Sequence, residues 1–365
     1  MRRRWLRYVL LWLALAALVA ASVVPFATGA RRAAAPATSE GGPTTGGGRG
    51  HDWPAWGVSH RRGAEPVTRA VPQNLTVTPG EPAAALDRRL RAVRAAGGTP
   101  VVTVCCGGDA ALAAGIARRH PELRHFVVGN DLRSFTRARW DAAAYTGRYN
   151  AVYAALKDVN PAIRVGGPST PMPSVAPAPA GGLSGAWGGV EPRALEAVRY
   201  WLTHKIGADF VAVDGAAPPE HDPGLDPFTA VEKFGAVTQW LTAHSDGDLP
   251  VWWDGWTAGP AADPGDPRRD ALHAAALIQF ARGGATAALH APAADPPSAP
   301  LLGRFGRWFP PGTTLLRADA ADPRVHVLAQ PAQTVAVNTA AEPVTTRVGR
   351  HDLRLARYEV RWIDG

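Results

Sequence analysis

The stretch His125–Ser169 constrains the fold more than any other part of the chain. It opens with a short apolar run, Phe126-Val127-Val128, that leads into the polar pair Asn130-Asp131, and it closes with a second strand-like run ending in Gly166-Gly167-Pro168. Between the two, Tyr145, Tyr149, Val152, Tyr153, Leu156 and Val159 recur at three- and four-residue spacing, which puts one apolar stripe on a helix. Pro161 stops that helix. A buried strand, a helix and a second, parallel strand make one βαβ step of an α/β fold. Functional side chains gather at the C-terminal ends of such strands, which makes Asn130 and Asp131 candidate site residues.

The same alternation runs through most of the 365 residues. Strand-like runs fall at Ala55–Val58, Asn74–Val77, Val101–Val104, Phe126–Val128, Ile163–Val165, Phe210–Val213, Val251–Trp253 and Ala287–Leu289. Helical patterns lie between them at Ala83–Ala96, Ala110–Arg119, Trp140–Val159, Pro192–His204, Pro227–His244 and Asp270–Arg282. Eight parallel strands with intervening helices predict a (β/α)8 TIM barrel over residues 51–311. The connection His60–Pro72 is too short and broken for a full helix, so the barrel is expected to be trimmed after strand one. Beyond Pro311 the pattern changes to short strands at Thr314–Leu316, Val325–Leu328, Thr334–Asn338, Val344–Val348 and Tyr358–Ile363, split by proline and glycine turns. Residues 312–365 are few for an independent core, which predicts a small C-terminal β-sandwich packed on the barrel.

The N-terminus decides how the net charge of +8 is read. Residues 1–50 carry seven arginines against one acid, Glu40, so six of the eight positive charges lie there and only two remain for the body. No basic stripe is left to follow a phosphate backbone, which sets nucleic-acid binding aside. A basic start followed by an apolar stretch over residues 9–27 is the pattern of an export signal, with Thr28-Gly29-Ala30 as small residues for cleavage. That stretch is also long enough to stay as a membrane anchor, so residues 1–30 read as signal peptide or anchor, and membrane contact is expected only there. Residues 31–50 are Gly, Pro, Ala and Thr without periodicity, a flexible linker. Cys105 and Cys106 are the only cysteines. Adjacent strand residues point to opposite faces, so they are expected to close a buried strand as two free, small residues.

The segment from Asn130 onward resembles the family 39 xylosidase-like group of the clan A glycoside hydrolases, on Asn130-Asp131 and the following WDAAAYTGRYNAVYAALKDVNPAIRVGGPS. Similar runs occur at Trp53–His60, Gly97–Cys106, Tyr200–Gly215 and Leu249–Trp256, so the resemblance covers most of residues 51–365. It implies a carbohydrate partner, no cofactor, and two catalytic carboxyl groups ending strands four and seven. Retaining glycosidases hold such a pair about 5–5.5 Å apart, one to protonate the leaving oxygen and one to attack the anomeric carbon. In this chain the strand-four position is Asp131, one methylene shorter than the family's Glu. The strand-seven motif, Trp-Trp-Ala-Glu-Trp in the family, reads Trp252-Trp253-Asp254-Gly255-Trp256. The nucleophile's position is therefore Gly255, and Asp254 stands one residue early. Side chains on a strand alternate with period two, so that offset turns the Asp254 carboxylate away unless the strand bulges.

Two readings follow, a carbohydrate-binding barrel whose chemistry is impaired, or an active O-glycosyl hydrolase that uses Asp131 with Asp254 or Asp214. The aromatic residues Trp56, Trp253 and Trp256 lie near strand ends and would suit the apolar face of a pyranose, although core packing accounts for part of them. Asp214 either holds sugar hydroxyls or makes an ordinary Asp-Gly turn. His60 is expected to point toward the cleft, and His290 stands where the family places a tryptophan beneath the sugar. The eleven histidines show no metal-ligand spacing, so no metal is expected. The run Gly181–Gly185 lacks the strand and lysine of a phosphate loop and reads as a flexible loop over the barrel mouth. No Gly-x-Ser-x-Gly elbow is present, which argues against a serine hydrolase.

Overall fold

Eight parallel strands close into one barrel: β1 (Trp56–His60), β2 (Gln73–Val77), β3 (Pro100–Val104), β4 (His125–Val128), β5 (Arg164–Pro171), β6 (Phe210–Ala216), β7 (Val251–Thr257) and β8 (Ala285–His290), with β1 pairing to both β2 and β8. The computed structural model describes residues 55–364, apart from 61–62, 106, 130–134, 137–138, 219–223, 246–248, 260–264 and 292–296. The helices are α1 (Ala83–Ala95), α2 (Ala110–Arg119), α3 (Ala142–Val159), α4 (Pro192–His204), α5 (Pro227–Ala230), α6 (Glu232–His244), α7 (Pro267–Gly283) and α8 (Ala299–Trp308). Each of the eight predicted strands is present. The described residues between β1 and β2 contain no helix, as the short connection required.

Local chemistry sets most helix starts. Asp109, Asp141, Asp226, Asp266 and Ser298 each accept a backbone N–H of the first turn, so a free donor at the helix start is satisfied. The long pattern 227–244 divides at Val231, which separates the short α5 from α6. Helix α8 went unread because its motif, APLLGRFGRW, carries two glycines; its Leu301, Leu302, Phe305 and Trp308 nevertheless form one buried stripe.

Two apolar layers follow from strand alternation. Val101, Val127, Phe210, Ala212, Trp252, Ala287 and Leu289 fill the bore of the barrel, with the Phe210 and Trp252 rings stacked at 3.8 Å. A much larger set, including Val58, Val102, Phe126, Val211, Trp253, Trp256 and Ala288, packs outward against the helices. The C-terminal strands β9 (Val325–Gln330), β10 (Gln333–Asn338) and β13 (Val360–Asp364) form one antiparallel sheet, and β11 (Val344–Val348) and β12 (His351–Leu355) a second. Val325, Val327, Ala336, Val344, Val348 and Leu355 make the core of this β-sandwich. Trp362 docks it on α8, in edge-on contact with Trp308 at 5.0 Å.

Three expectations are corrected. Thr314–Leu316 contributes only an isolated bridge from Leu316 to Ala329, while His351–Leu355, with alternate charged residues, is a strand. Gly181–Gly185 is not a free loop, because Ser184-Gly185 pairs with Gly188–Val190, which pairs in turn with Ser174-Val175 in a three-stranded sheet. Cys105 is disulfide-bonded, not free. It follows the end of β3 and precedes Gly107 at φ 90°, so it lies in a turn where strand alternation no longer governs. Cys106 lies outside the described residues.

Candidate active site

A polar layer caps the apolar bore at the C-terminal end of the strands. Asn74 of β2 donates its Nδ2 protons to Ser59 Oγ of β1 at 3.1 Å and to the Asp254 carbonyl of β7 at 3.4 Å. Thr103 Oγ1 of β3 donates to Asn74 Oδ1 at 2.8 Å. Four strands are thereby tied across the bore by buried side chains, each of which has a partner. Asn74, Ser59 and Thr103 were not picked out from the sequence; the usable signal was a polar residue inside an otherwise apolar strand.

Irregularities in β5 to β7 shape the surroundings of the acids. Val213 pairs with Trp253 but Asp214 pairs with Gly255, and Trp253 and Trp256 pair with Ala288 and His290, so β7 holds one extra residue beside each neighbour. This bulge does not turn Asp254, which keeps the bore-facing parity of Trp252; it turns Trp256 outward instead, so the expectation that Asp254 points away without a bulge is corrected. Trp252 faces the bore, Trp253 faces the helices, and Asp254 returns to the bore. Its Oδ2 accepts the Ser169 hydroxyl at 2.6 Å, while its Oδ1 is buried without a partner. Ser169 itself stands at φ 51° where β5 slips register against β6, a left-handed conformation that turns its hydroxyl toward β7.

Asp214 joins this group. A Cβ built on Gly255 would sit 3.6 Å from the Asp214 Cβ and 3.9 Å from that of Ala291, ordinary contacts, so glycine leaves side-chain room beside Asp214. Burial lifts the Asp254 carboxyl to about 7, opposed by its bond to Ser169. Burial and the neighbouring Asp254 raise Asp214 well above the usual carboxylate range, with Lys233 pulling the other way. Two close carboxyl groups in a water-poor site cannot both ionise freely. Lys233, fully buried at the start of α6, donates to the carbonyls of Met172 and Ala216 and to Ser174 Oγ, and burial drops its ammonium to about 7. It braces the ends of β5 and β6 from behind.

The remaining candidates fall elsewhere. Trp253 and Trp256 are fully buried between barrel and helices, Trp253 donating to Thr238 Oγ1 of α6 at 3.0 Å and both rings packing on Phe234 and Phe280. Trp56 also faces outward, donating to the Phe309 carbonyl at 2.9 Å and meeting Phe305 edge-on. His60 turns to Gln73 at 2.8 Å on the outer side, and His290 lies between Trp256 and His273 with its ring pushed down to about 3 by burial. All five were expected at the cleft; the parity of their strands places each on the outer face. Asn130 and Asp131 lie outside the described residues. No group of three His, Cys, Asp or Glu among the described residues could hold a metal ion.

No protein-family model matches the chain, and no curated protein matches it. Solved structures do. A glucosidase from Croceicoccus marinus superposes with a TM-score of 0.51 at 16% identity, over 84% of this chain and 73% of that one. A GH30 endoxylanase from Clostridium papyrosolvens C71 gives 0.53 at 11% identity, over 83% and 84%. A bifunctional glucanase-xylanase from a metagenome library gives 0.53 at 11% identity, over 79% and 85%. At such identities the likeness carries the fold alone: the chain has a glycoside hydrolase-like (β/α)8 barrel with a C-terminal β-sandwich.

Proposed function

We propose that this protein is exported, binds a carbohydrate at the mouth of its barrel, and is impaired as a glycoside hydrolase. One observation carries the reading. The carboxylate of strand seven is Asp254, which is only 5% exposed, held by Ser169 and raised by burial to about 7, while the next position, where the resembled family keeps its nucleophile, is Gly255. A nucleophile has to be ionised and to reach the anomeric carbon. Asp254 is ionised only in part at neutrality and stands one position away from that nucleophile's place. A polar mouth remains, where the half-buried Asp214 stands above the buried Asn74 network that fixes the strand ends, and hydroxyl-rich ligands are recognised by such fixed polar groups.

A second reading is supported by the paired carboxyls. Asp214 and Asp254 have environments that keep a proton between them at neutral pH, and acid–base pairs of hydrolases are built in this way. In that case Asp131, Asp214 and Asp254 would share the chemistry of an active O-glycosyl hydrolase.

Export is supported by the basic, apolar N-terminus, residues 9–27 being either removed or kept as an anchor. Among the described residues no helix is long and apolar enough to cross a membrane. A panel of oligosaccharides tests the central part of the reading. At least one should bind the wild-type protein and lose affinity when Asp214→Asn alters the mouth. Absence of binding across neutral, acidic and amino-sugar oligomers would remove the carbohydrate reading.

A further inference from the structure

The mouth contains two acids and, among the described residues, no cation paired with either. No described basic side chain forms a salt bridge with Asp214 or Asp254. Lys233 is the cation whose charge reaches Asp214, yet its three protons go to Met172, Ser174 and Ala216. Ser169 satisfies Oδ2 of Asp254 and leaves Oδ1 buried without a donor. Asn74, the nearest amide, spends its protons on Ser59 and on the Asp254 backbone. A buried carboxylate oxygen without a donor carries an uncompensated desolvation penalty, and a ligand that supplied a donor would recover that cost. Gly255 leaves open the space beside Asp214 that a side chain would fill.

From this geometry we infer that the carbohydrate bound at the barrel mouth is an amino sugar with a free primary amine, whose ammonium group sits against Asp254 Oδ1 and Asp214. The inference rests on the carbohydrate reading above and narrows it. An N-acetylated or neutral sugar would bring hydroxyl or amide donors but no compensating charge. An ammonium brings three donors and the charge that lets both acids ionise. Generic attraction is not the cause, because the body of the chain is itself slightly cationic. The charged and titratable groups around the pair are Lys233 from α6, whose charge favours ionised Asp214, and the Tyr145 hydroxyl from α3, which burial keeps neutral, with Arg148 opposing and Asp254 adding to the effect. Neither supplies a proton donor to Asp254 Oδ1, since Tyr145 donates to the Val128 carbonyl.

Calorimetry on the full-length protein tests this with three hexasaccharides: β-1,4-linked glucosamine, its fully N-acetylated counterpart and a neutral xylan oligomer. The glucosamine hexamer should bind at least about tenfold more tightly than either. Because the ammonium favours ionised carboxyls, binding at pH 5.5, where the sugar amines are charged, should release protons, seen as a buffer-dependent heat. Affinity should also rise at least about fivefold from pH 4 to 5.5, a range that lies below the titration of the sugar amines. Asp254→Asn and Asp214→Asn should each abolish the preference; the proton release, read on the wild type, stands whether or not those variants fold. Equal binding of all three hexamers would overturn the amine assignment and leave the carbohydrate reading intact. Binding of none would overturn both. Amine-selective binding that neither substitution changes, or that calcium chloride alone competes away, would place the contact elsewhere or make the pair an inorganic cation site, and either result sinks the inference.

Discussion

The two faces of strand β7 behave as different materials. Inward, Trp252 closes the apolar bore and Asp254 caps it among Ser169, Asn74 and Asp214. Outward, Trp253 and Trp256 enter an aromatic shell with Phe234, Phe280, His273 and His290. The inner face carries polarity, unsatisfied bonding capacity and shifted carboxyls. The outer face carries packing. Residues adjacent in the chain thus serve separate purposes, and a motif such as Trp-Trp-Asp-Gly-Trp cannot be assigned to one site as a block. Histidine follows the same division: His290 and His273 are structural and neutral, pushed by burial to about 3 and about 4.

The largest effect should come from the outer face. Trp253→Ala should lower stability by about 3–5 kcal/mol, the range for emptying a large buried site, with saccharide affinity of the folded fraction unchanged. Urea unfolding and calorimetry on the same sample would check both. Lost binding at undiminished stability would break the division between the faces.

Smaller, and of opposite sign on the two faces, is the dependence of stability on pH. His290 and His273 take up protons more readily unfolded, near 6.5, than folded, so their contribution is full above that value and is lost as pH falls below it. The loss is up to about 1.4 kcal/mol per histidine for each pH unit, ending near the folded values. Asp254 holds its proton more tightly folded, with a value of about 7 against 3.8 when unfolded, so its contribution is present at low pH and is lost as pH rises through that window. Relative to wild type, Asp254→Asn should gain stability from pH 4 to 7, and His290→Gln should gain it from pH 6.5 to 4.5. Urea midpoints across the range would show two slopes of opposite sign; parallel slopes would mean that the faces do not differ in electrostatics.

The smallest effect should be Gly255→Ala. Its Cβ meets only Asp214 and Ala291 at ordinary contact distance, and Gly255 does not have the left-handed backbone that would require glycine. A change of under about 1 kcal/mol is expected, read from thermal or urea unfolding. A large loss would show that the mouth is filled where the geometry leaves it open.

How far the sequence reaches can be judged from the same strands. Barrel strands were legible because short apolar runs between helix periods have few alternatives. Which parity faces the bore was not, since alternation fixes the difference between neighbours without choosing the inner set. Trp56, His60, Trp253, Trp256 and His290 were all placed on the wrong face for that reason. Asp214 and Asp254 come together because each keeps the parity of the bore residues before it, Ala212 and Trp252, while the bulge in β7 and the slip at Ser169, set by three-dimensional pairing, turn Trp256 outward and bring the Ser169 hydroxyl to Asp254. Asn74, Thr103 and Ser59 were missed because a polar residue in a strand looks the same whether it meets solvent or a partner across the bore.

The central claim is that the inner face of the mouth binds sugar without cleaving it, and hydrolysis of aryl β-glycosides tests this most directly. Wild type should turn over at or near background, and so should Asp131→Glu and Gly255→Glu alone. The double variant should exceed both, because two carboxyls that act as a unit give little when only one is repaired. Vigorous wild-type hydrolysis that disappears in Asp254→Asn would contradict the claim and make the Asp254 pair the working catalyst.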